Sequence, residues 1–285
     1  MLKGVFLDLS GVLYEGQTPL PGAVDAVRRL QSSDLVLRFV TNSARKNRHQ
    51  LLDDLSAMGF ALRPEQLFSA PLATADWIRR HHLHPYLLVH PNILADFHGI
   101  DAVTGVHEGA PDTDIHGAAR RVRAVRENLT ATNVAVNAVV IGDAGDAIHY
   151  ENLDAAFQLL MAGAELIAIG DNRYFKGDDG LHLDVGPFVR ALEHAASKQA
   201  LIIGKPSTPF FQMVLHDAQL SAENVMMFGD DIYGDIQGAL AAGMQACLVR
   251  SGKYRADDEN KIEGRFEIYD SLQHWLEEAG VNPAA

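Results

Sequence analysis

The feature that most constrains this chain is a repeated alternation of short apolar runs with stretches of helical periodicity. The runs "GVFLDL", "LVLRFVTN", "YLLVH", "NAVVIGD", "ELIAIGDN", "ALIIGKP", "NVMMFGDD" and "QACLVR" each end in glycine or polar residues. Brief runs rich in Val, Ile, Leu and Phe, bounded in this way, read as strands. Between them, "PGAVDAVRRLQS" brings Val24, Val27 and Leu30 onto one helical face. "NRHQLLDDLSAMGF" does the same with Leu51, Leu55 and Met58 before stopping at Gly59, and "DIQGALAAGM" stops at Gly243. Strand alternating with helix predicts the α/β class, with a doubly wound parallel sheet covered by helices on both faces.

With 285 residues, 47% of them apolar, the chain can bury a sizeable core and divide into two domains. The expected division is a core built from residues 1–72 and 188–285, with residues 73–187 as a smaller inserted α/β domain. The least regular part of the insert is "GVHEGAPDTDIHGAARRVRAVRENLTATN", where a helix is expected over "IHGAARRVRAVREN".

Parallel sheets place reactive groups just beyond the carboxyl ends of their strands. Asp8, Thr41 with Asn42, Lys205, and the "GDD" at 229–231 each follow a predicted strand directly. Asp8 can act as a nucleophile on phosphorus, splitting one hard hydrolysis into two easier steps. Two anions must then be brought together, which calls for a hard cation; Mg²⁺ suits, held by Asp8, Asp230 and the backbone carbonyl of Ser10. Asp231 and Asp235 are expected behind these ligands, orienting them and their bound waters. Thr41, Asn42 and Lys205 offer a hydroxyl, an amide and a compact positive charge to phosphoryl oxygens.

Net charge is −13. Nucleic acid and anionic membranes are therefore not expected as partners, since both need a basic surface; a small phosphorylated substrate or phospho-amino acid is. No basic-then-apolar signal precedes the first strand and no apolar run reaches spanning length, so a cytoplasmic location is expected. The single cysteine, Cys247, lies in an apolar segment and reads as a core residue.

Taken singly, these motifs are ambiguous: "TN" can be a turn or cap, and "GDD" a calcium-like cluster. Their order decides. Phospho-receiver domains use the same residue types but place the acidic pair first and the lysine last. In "DLSGVLYEG", "TNSARKNR", "GKPSTPFF" and "GDDIYGDIQGALAAGM" the chain resembles the haloacid dehalogenase superfamily of phosphatases, in its subgroup with a large α/β cap. The resemblance covers nearly the whole chain and implies a Rossmann-like core and an inserted cap that selects substrate. It also implies Asp8 as nucleophile, Mg²⁺ on Asp8, the Ser10 carbonyl and Asp230, and Thr41, Asn42 and Lys205 around the phosphoryl group. Caps of this subgroup often take part in dimers, which leaves a homodimer open.

Ser10 stands where most phosphatases of the superfamily carry a second aspartate, acid to the leaving group and base to water. A serine hydroxyl holds its proton too tightly for that work, which is worth about 10²–10⁴-fold. Alkyl phosphates should therefore react slowly. Phosphoramidates can take the proton from solvent, and pyrophosphate expels a stable anion. The expected substrates are pyrophosphate and phosphoramidates such as phospholysine, phosphohistidine and imidodiphosphate. The alternatives are a general phosphate-ester phosphatase and a catalytically weak binding or scaffold protein.

Other residues have quieter readings. His81, His82, His84 and His90 fit no metal motif and read as solvated groups near a helix end. In "GDNRYFKGDDG", Asn172 and Arg173 are candidate substrate contacts of the cap, beside Asp171, Tyr174 and Lys176, while Asp178 and Asp179 read as a turn. Arg45 and Arg48 could add positive field after "TN", or simply form the charged start of a helix.

Overall fold

The computed structural model describes residues 1–104, 135–177 and 180–279. The helix expected over residues 115–128 lies outside the described residues, as do Asp178 and Asp179. The chain divides into two compact units. Met1–Asn42, Arg48–Ser69 and Gly204–Ala285 form the first, and Ser43–Asn47 with Ala70–Ile203 form the second.

The first unit is built on a six-stranded sheet in the order Glu267–Tyr269, Gln245–Val249, Val225–Gly229, Gly4–Leu7, Val36–Thr41, Leu67–Ser69. Every pairing in it is parallel. The central strands Gly4–Leu7 and Val225–Gly229 are buried throughout, which is why they read as unbroken apolar runs rather than alternating ones. Alternate side chains serve opposite faces. Val5, Leu7, Leu37, Phe39, Met226, Phe228, Cys247 and Val249 join a core with the helices Ala23–Gln31, Arg48–Ala57 and Leu272–Ala279. The Trp275 ring meets Phe228 edge-on at 4.7 Å there. On the opposite face the helix Thr208–Ala218 packs Phe210 against Phe68 and holds Arg38 Nε through Asp217 Oδ2 at 2.7 Å.

From Gly4–Leu7 the chain order runs outward through Val36–Thr41 and Leu67–Ser69, then returns to Val225–Gly229 on the other side. The sheet thus reverses direction between Gly4–Leu7 and Val225–Gly229, and ligands of open parallel sheets bind at such a switch point, beyond the carboxyl ends of the strands. Leu7 pairs with Phe228 and with Phe39. The three strands therefore end within two residues of one another, with Asp8, Asp230 and Thr41 at their tips.

The second unit holds a five-stranded sheet in the order Leu201–Ile202, Glu165–Ala168, Ala138–Ile141, Pro85–Leu88, Val103–Thr104, again parallel at every pairing. Tyr86, Val139, Ile141 and Leu166 form its core with the helices Tyr150–Met161 and Gly186–Ala196. The expected return to the core at residue 188 therefore shifts to 204. Val189 and Leu192 are spent on the second unit's interior, and Leu201 and Ile202 pair with Ile167 and Ala168. A hairpin of Tyr174–Gly177 and Gly180–Leu183 stands apart from that sheet. No helix among the described residues is long and apolar enough to cross a membrane.

Candidate active site

Asp8 follows its strand with its N–H donating to the carbonyl of Phe228 at 2.9 Å, which fixes its backbone to the neighbouring strand. Its side chain is buried, as are those of Asp230, Asp235 and Lys205. One oxygen from each of Asp8, Asp230 and Asp235 lies within 4.8 Å of the others. Lys205 Nζ sits among them, 2.6 Å from Asp8 Oδ1 and 2.6 Å from Asp235 Oδ1. Burial disfavours the ammonium, but Asp235 and Asp8 more than compensate and hold its pKa above the usual lysine value.

Lys205 reaches this point by an unexpected route. Its preceding strand, Leu201–Ile202, belongs to the second unit's sheet, so Lys205 is not at a strand tip of the first. It lies on the connection into the helix Thr208–Ala218, whose start is capped by Ser207 accepting from the N–H of Phe210. The Asn42 side chain holds that connection in place. Its Nδ2 donates to the Lys205 carbonyl at 2.8 Å, and its Oδ1 accepts from the Lys205 N–H at 2.8 Å. The Asn42 amide was expected to face a phosphoryl group; the structure uses it to anchor the lysine. Thr41 is buried at the end of its strand, paired with Ser69.

Around the acidic pair, three side chains take distinct tasks. Asp230 Oδ2 accepts from the Lys253 N–H at 2.7 Å, while Oδ1 is buried with no partner among the described residues. Burial, then the charge of Asp8, push the Asp230 carboxyl up to about 6. Asp231 caps the turn that follows, accepting from Tyr233 N at 3.1 Å and Gly234 N at 2.9 Å, and pairs with Lys253 Nζ at 3.1 Å. These contacts hold its pKa below the usual value although burial opposes them. Asp231 was expected to hold bound waters and orient the ligands; its carboxylate is engaged in the turn and with Lys253.

Asp235 rises from that turn, a π-helical one over Ile232–Gln237 of the kind often found at functional sites. Burial, and the neighbouring Asp8 and Asp230, raise its pKa, with Lys205 opposing. Gly229 makes room: a Cβ there would lie 2.1 Å from the Asp235 Cβ. Ser10 is exposed. Tyr14, whose phenol is pushed up to about 12 by burial and then by Asp8, remains protonated.

The sequence reading passed over one element. Ser251, Gly252 and Lys253 follow the strand Gln245–Val249 and pack onto the site: Ser251 Oγ donates to the Gly11 carbonyl at 2.5 Å and Gly252 N–H to Glu15 Oε1 at 2.9 Å. The signal was present, since "SGK" follows an apolar run with only Arg250 between them.

The remaining candidates, Arg48 excepted, lie in the second unit. Arg45 forms a two-bonded pair with Asp143 and stacks over the Phe175 ring at 4.6 Å. His90 Nδ1 accepts from Asn92 N at 3.2 Å, capping a short helical segment. His81 stacks on Trp77 at 3.8 Å between ring centres, and His84 lies 3.8 Å from Asp101. Asn172 and Arg173 are exposed on the loop after Glu165–Ala168, with their carbonyls accepting from Gly186 and Asp184. In the first unit, Arg48 opens the helix Arg48–Ala57.

A parallel sheet with carboxylates and a lysine gathered at its switch point is the ligand-site arrangement of an open α/β fold. Residues 5–102 match the family model described as haloacid dehalogenase-like hydrolase, and residues 202–275 match a second, HAD-hydrolase-like model. The chain is 38% identical over 275 residues to the phospholysine phosphohistidine inorganic pyrophosphate phosphatase of Danio rerio, covering 94% of this chain and 90% of that one. It is also 38% identical over 262 residues to haloacid dehalogenase-like hydrolase domain-containing protein 2 of Rattus norvegicus, covering 92% and 89%. Among solved structures, a hypothetical protein from Pyrococcus horikoshii superposes with a TM-score of 0.83 at 23% identity, covering 98% of this chain and 100% of that one. A p-nitrophenyl phosphatase from Archaeoglobus fulgidus does so with 0.80 at 21%, covering 97% and 99%. The chain belongs to the haloacid dehalogenase-like hydrolases.

Proposed function

We propose that this chain is a Mg²⁺-dependent phosphatase that works through a phosphoaspartate on Asp8 and prefers pyrophosphate and phosphoramidates. The observation that carries the reading is a charge imbalance. Three buried carboxylates gather within 4.8 Å of one another around one ammonium that pairs with Asp8 and Asp235, and one of their oxygens, Asp230 Oδ1, has no partner among the described residues. A dication balances that surplus, and carboxylate oxygens suit a hard one. Asp8, Asp230 and the Ser10 carbonyl would hold it, with Asp235 beside them. Bound there, Mg²⁺ would shield the approach of a phosphate to Asp8 and draw charge from phosphoryl oxygens.

The protein groups then divide the work. An Asp8 oxygen forms a bond to phosphorus as the P–N or P–O bond breaks and its electron pair departs with the leaving group. Water next attacks the phosphorus and the Asp8 carboxylate leaves. Lys205, locked between Asp8 and Asp235, aligns the nucleophile and offers fixed positive charge to the transferring group, with Thr41 beside it. Ser10 supplies no efficient general acid, so substrates whose leaving groups need little protonation are favoured. The relatives named for phospholysine, phosphohistidine and pyrophosphate support that choice.

The test is a substrate panel with and without Mg²⁺: pyrophosphate, imidodiphosphate, phospholysine, phosphohistidine and a sugar phosphate, together with rapid-quench trapping of phosphorylated Asp8. The expected result is labelled Asp8 and a preference for the first four. A preference for the sugar phosphate overturns the substrate ranking. Unlabelled Asp8 with every substrate would favour a binding or scaffold role.

A further inference from the structure

The two oxygens of Asp230 live in opposite environments. Oδ1 is buried and unpartnered among the described residues, while Oδ2 accepts the Lys253 N–H at 2.7 Å. Oδ2 is also walled in by backbone. A Cβ on Gly11 would lie 1.9 Å from it and a Cβ on Gly252 2.1 Å from it, and both glycines have positive φ, +89° and +56°. The wall is itself tied down: Ser251 Oγ donates to the Gly11 carbonyl and the Gly252 N–H to Glu15 Oε1. The Lys253 ammonium points elsewhere, to Asp231 Oδ2 at 3.1 Å, and is largely exposed.

From this geometry we infer that the Ser251–Lys253 loop is a positioning element that makes Asp230 a one-oxygen ligand and thereby selects Mg²⁺ over Ca²⁺. The inference rests on the proposed metal site and adds to it a source of selectivity. Mg²⁺ demands near-ideal octahedral geometry with few carboxylate ligands, whereas Ca²⁺ takes six to eight oxygens and readily accepts both oxygens of one carboxylate. An Asp230 whose second oxygen is held by a backbone amide, between two glycine walls, cannot offer that second oxygen without breaking a charge-assisted hydrogen bond. Gly252 and Gly11 are then required because only a residue without Cβ leaves Oδ2 room against the amide. The main-chain N–H of Lys253 does this work rather than its side chain.

The experiment is calorimetric titration of the metal-free protein with Mg²⁺ and, separately, Ca²⁺, for wild type, Lys253→Pro and Lys253→Ala. Lys253→Pro deletes the amide donor; Lys253→Ala keeps it and deletes the ammonium. Lys253→Pro is expected to lose about 10–100-fold in Mg²⁺ affinity, as removal of a partner that orients a metal ligand does, with Ca²⁺ affinity held or raised. Lys253→Ala should keep the wild-type Mg²⁺/Ca²⁺ ratio. A wild-type protein that binds neither ion defeats the metal site itself. Mg²⁺ binding with the same ion ratio in Lys253→Pro as in wild type defeats only the loop's role, as does a changed ratio in Lys253→Ala. Should Lys253→Pro not fold, amide hydrogen exchange on wild type decides. The Lys253 amide is expected to stay protected with Mg²⁺ bound; loss of that protection in the Mg²⁺ complex refutes the inference.

Discussion

Replacing Lys205 by methionine keeps the length of the side chain and removes the positive charge that Asp8 and Asp235 share. Its Nζ is 2.6 Å from each, and all three groups are buried. Breaking a buried ion pair by deleting one partner typically destabilises by about 3–5 kcal/mol, because the surviving charge is left in a poor solvent. Each surviving carboxylate has one escape, which is to take up a proton. Doing so costs about 1.4 kcal/mol for each pH unit above an ordinary aspartate value near about 3.9. That limit is about 6 kcal/mol at pH 8, above the range for a broken pair, so the full loss of about 3–5 kcal/mol is expected there. At pH 5 the limit falls to about 1.5 kcal/mol for each carboxylate, and the loss should be smaller than at pH 8. Urea denaturation of wild type and Lys205→Met in EDTA, at pH 5 and pH 8, measures both. Equal losses at the two pH values, or a loss under about 1 kcal/mol at pH 8, would refute the view that Lys205 neutralises a buried carboxylate.

Three further outcomes are expected. Ser10→Asp should raise turnover of an alkyl phosphate relative to pyrophosphate by about 10²-fold or more, as a restored general acid does; a uniform fall in both kcat/KM values would contradict the leaving-group reasoning. Asn42→Ala leaves the N–H and C=O of Lys205 without their side-chain partner; a stability loss of about 1–3 kcal/mol by urea denaturation is expected, with kcat reduced more than KM is raised. Metal-free stability should depend on pH through Asp230, whose folded pKa is raised to about 6. Between that value and an unfolded value near about 3.9 the folded state binds the extra proton, so acidification stabilises by up to about 3 kcal/mol, and the gain is lost as pH rises through 6. Asp230→Asn, which removes the titrating group, should abolish that component of the difference between pH 4.5 and pH 7.5 in thermal unfolding.

The sequence alone determined most of the strand pattern of the two parallel sheets and which polar residues follow the strands. Runs such as "NVMMFGDD" announce a buried strand and its polar tip within eight neighbouring residues, and short-range periodicity suffices for that. The short edge strands Leu67–Ser69 and Glu267–Tyr269 escaped notice, since three residues carry too little pattern to be told from a loop.

Only the tertiary structure decided the partners. The run "ALIIGKP" is legibly a strand, yet nothing local says that Leu201 pairs with Ile167 in the second sheet. The same holds for Asn42, whose amide could serve a ligand or a backbone until the fold brings it to Lys205, 163 residues away. It holds too for Asp230, whose two oxygens became unlike when Lys253 arrived from the end of another strand. Side-chain type sets which bonds a residue is able to make, but burial and long-range packing choose among them, because a buried polar atom must find its partner wherever the fold supplies one.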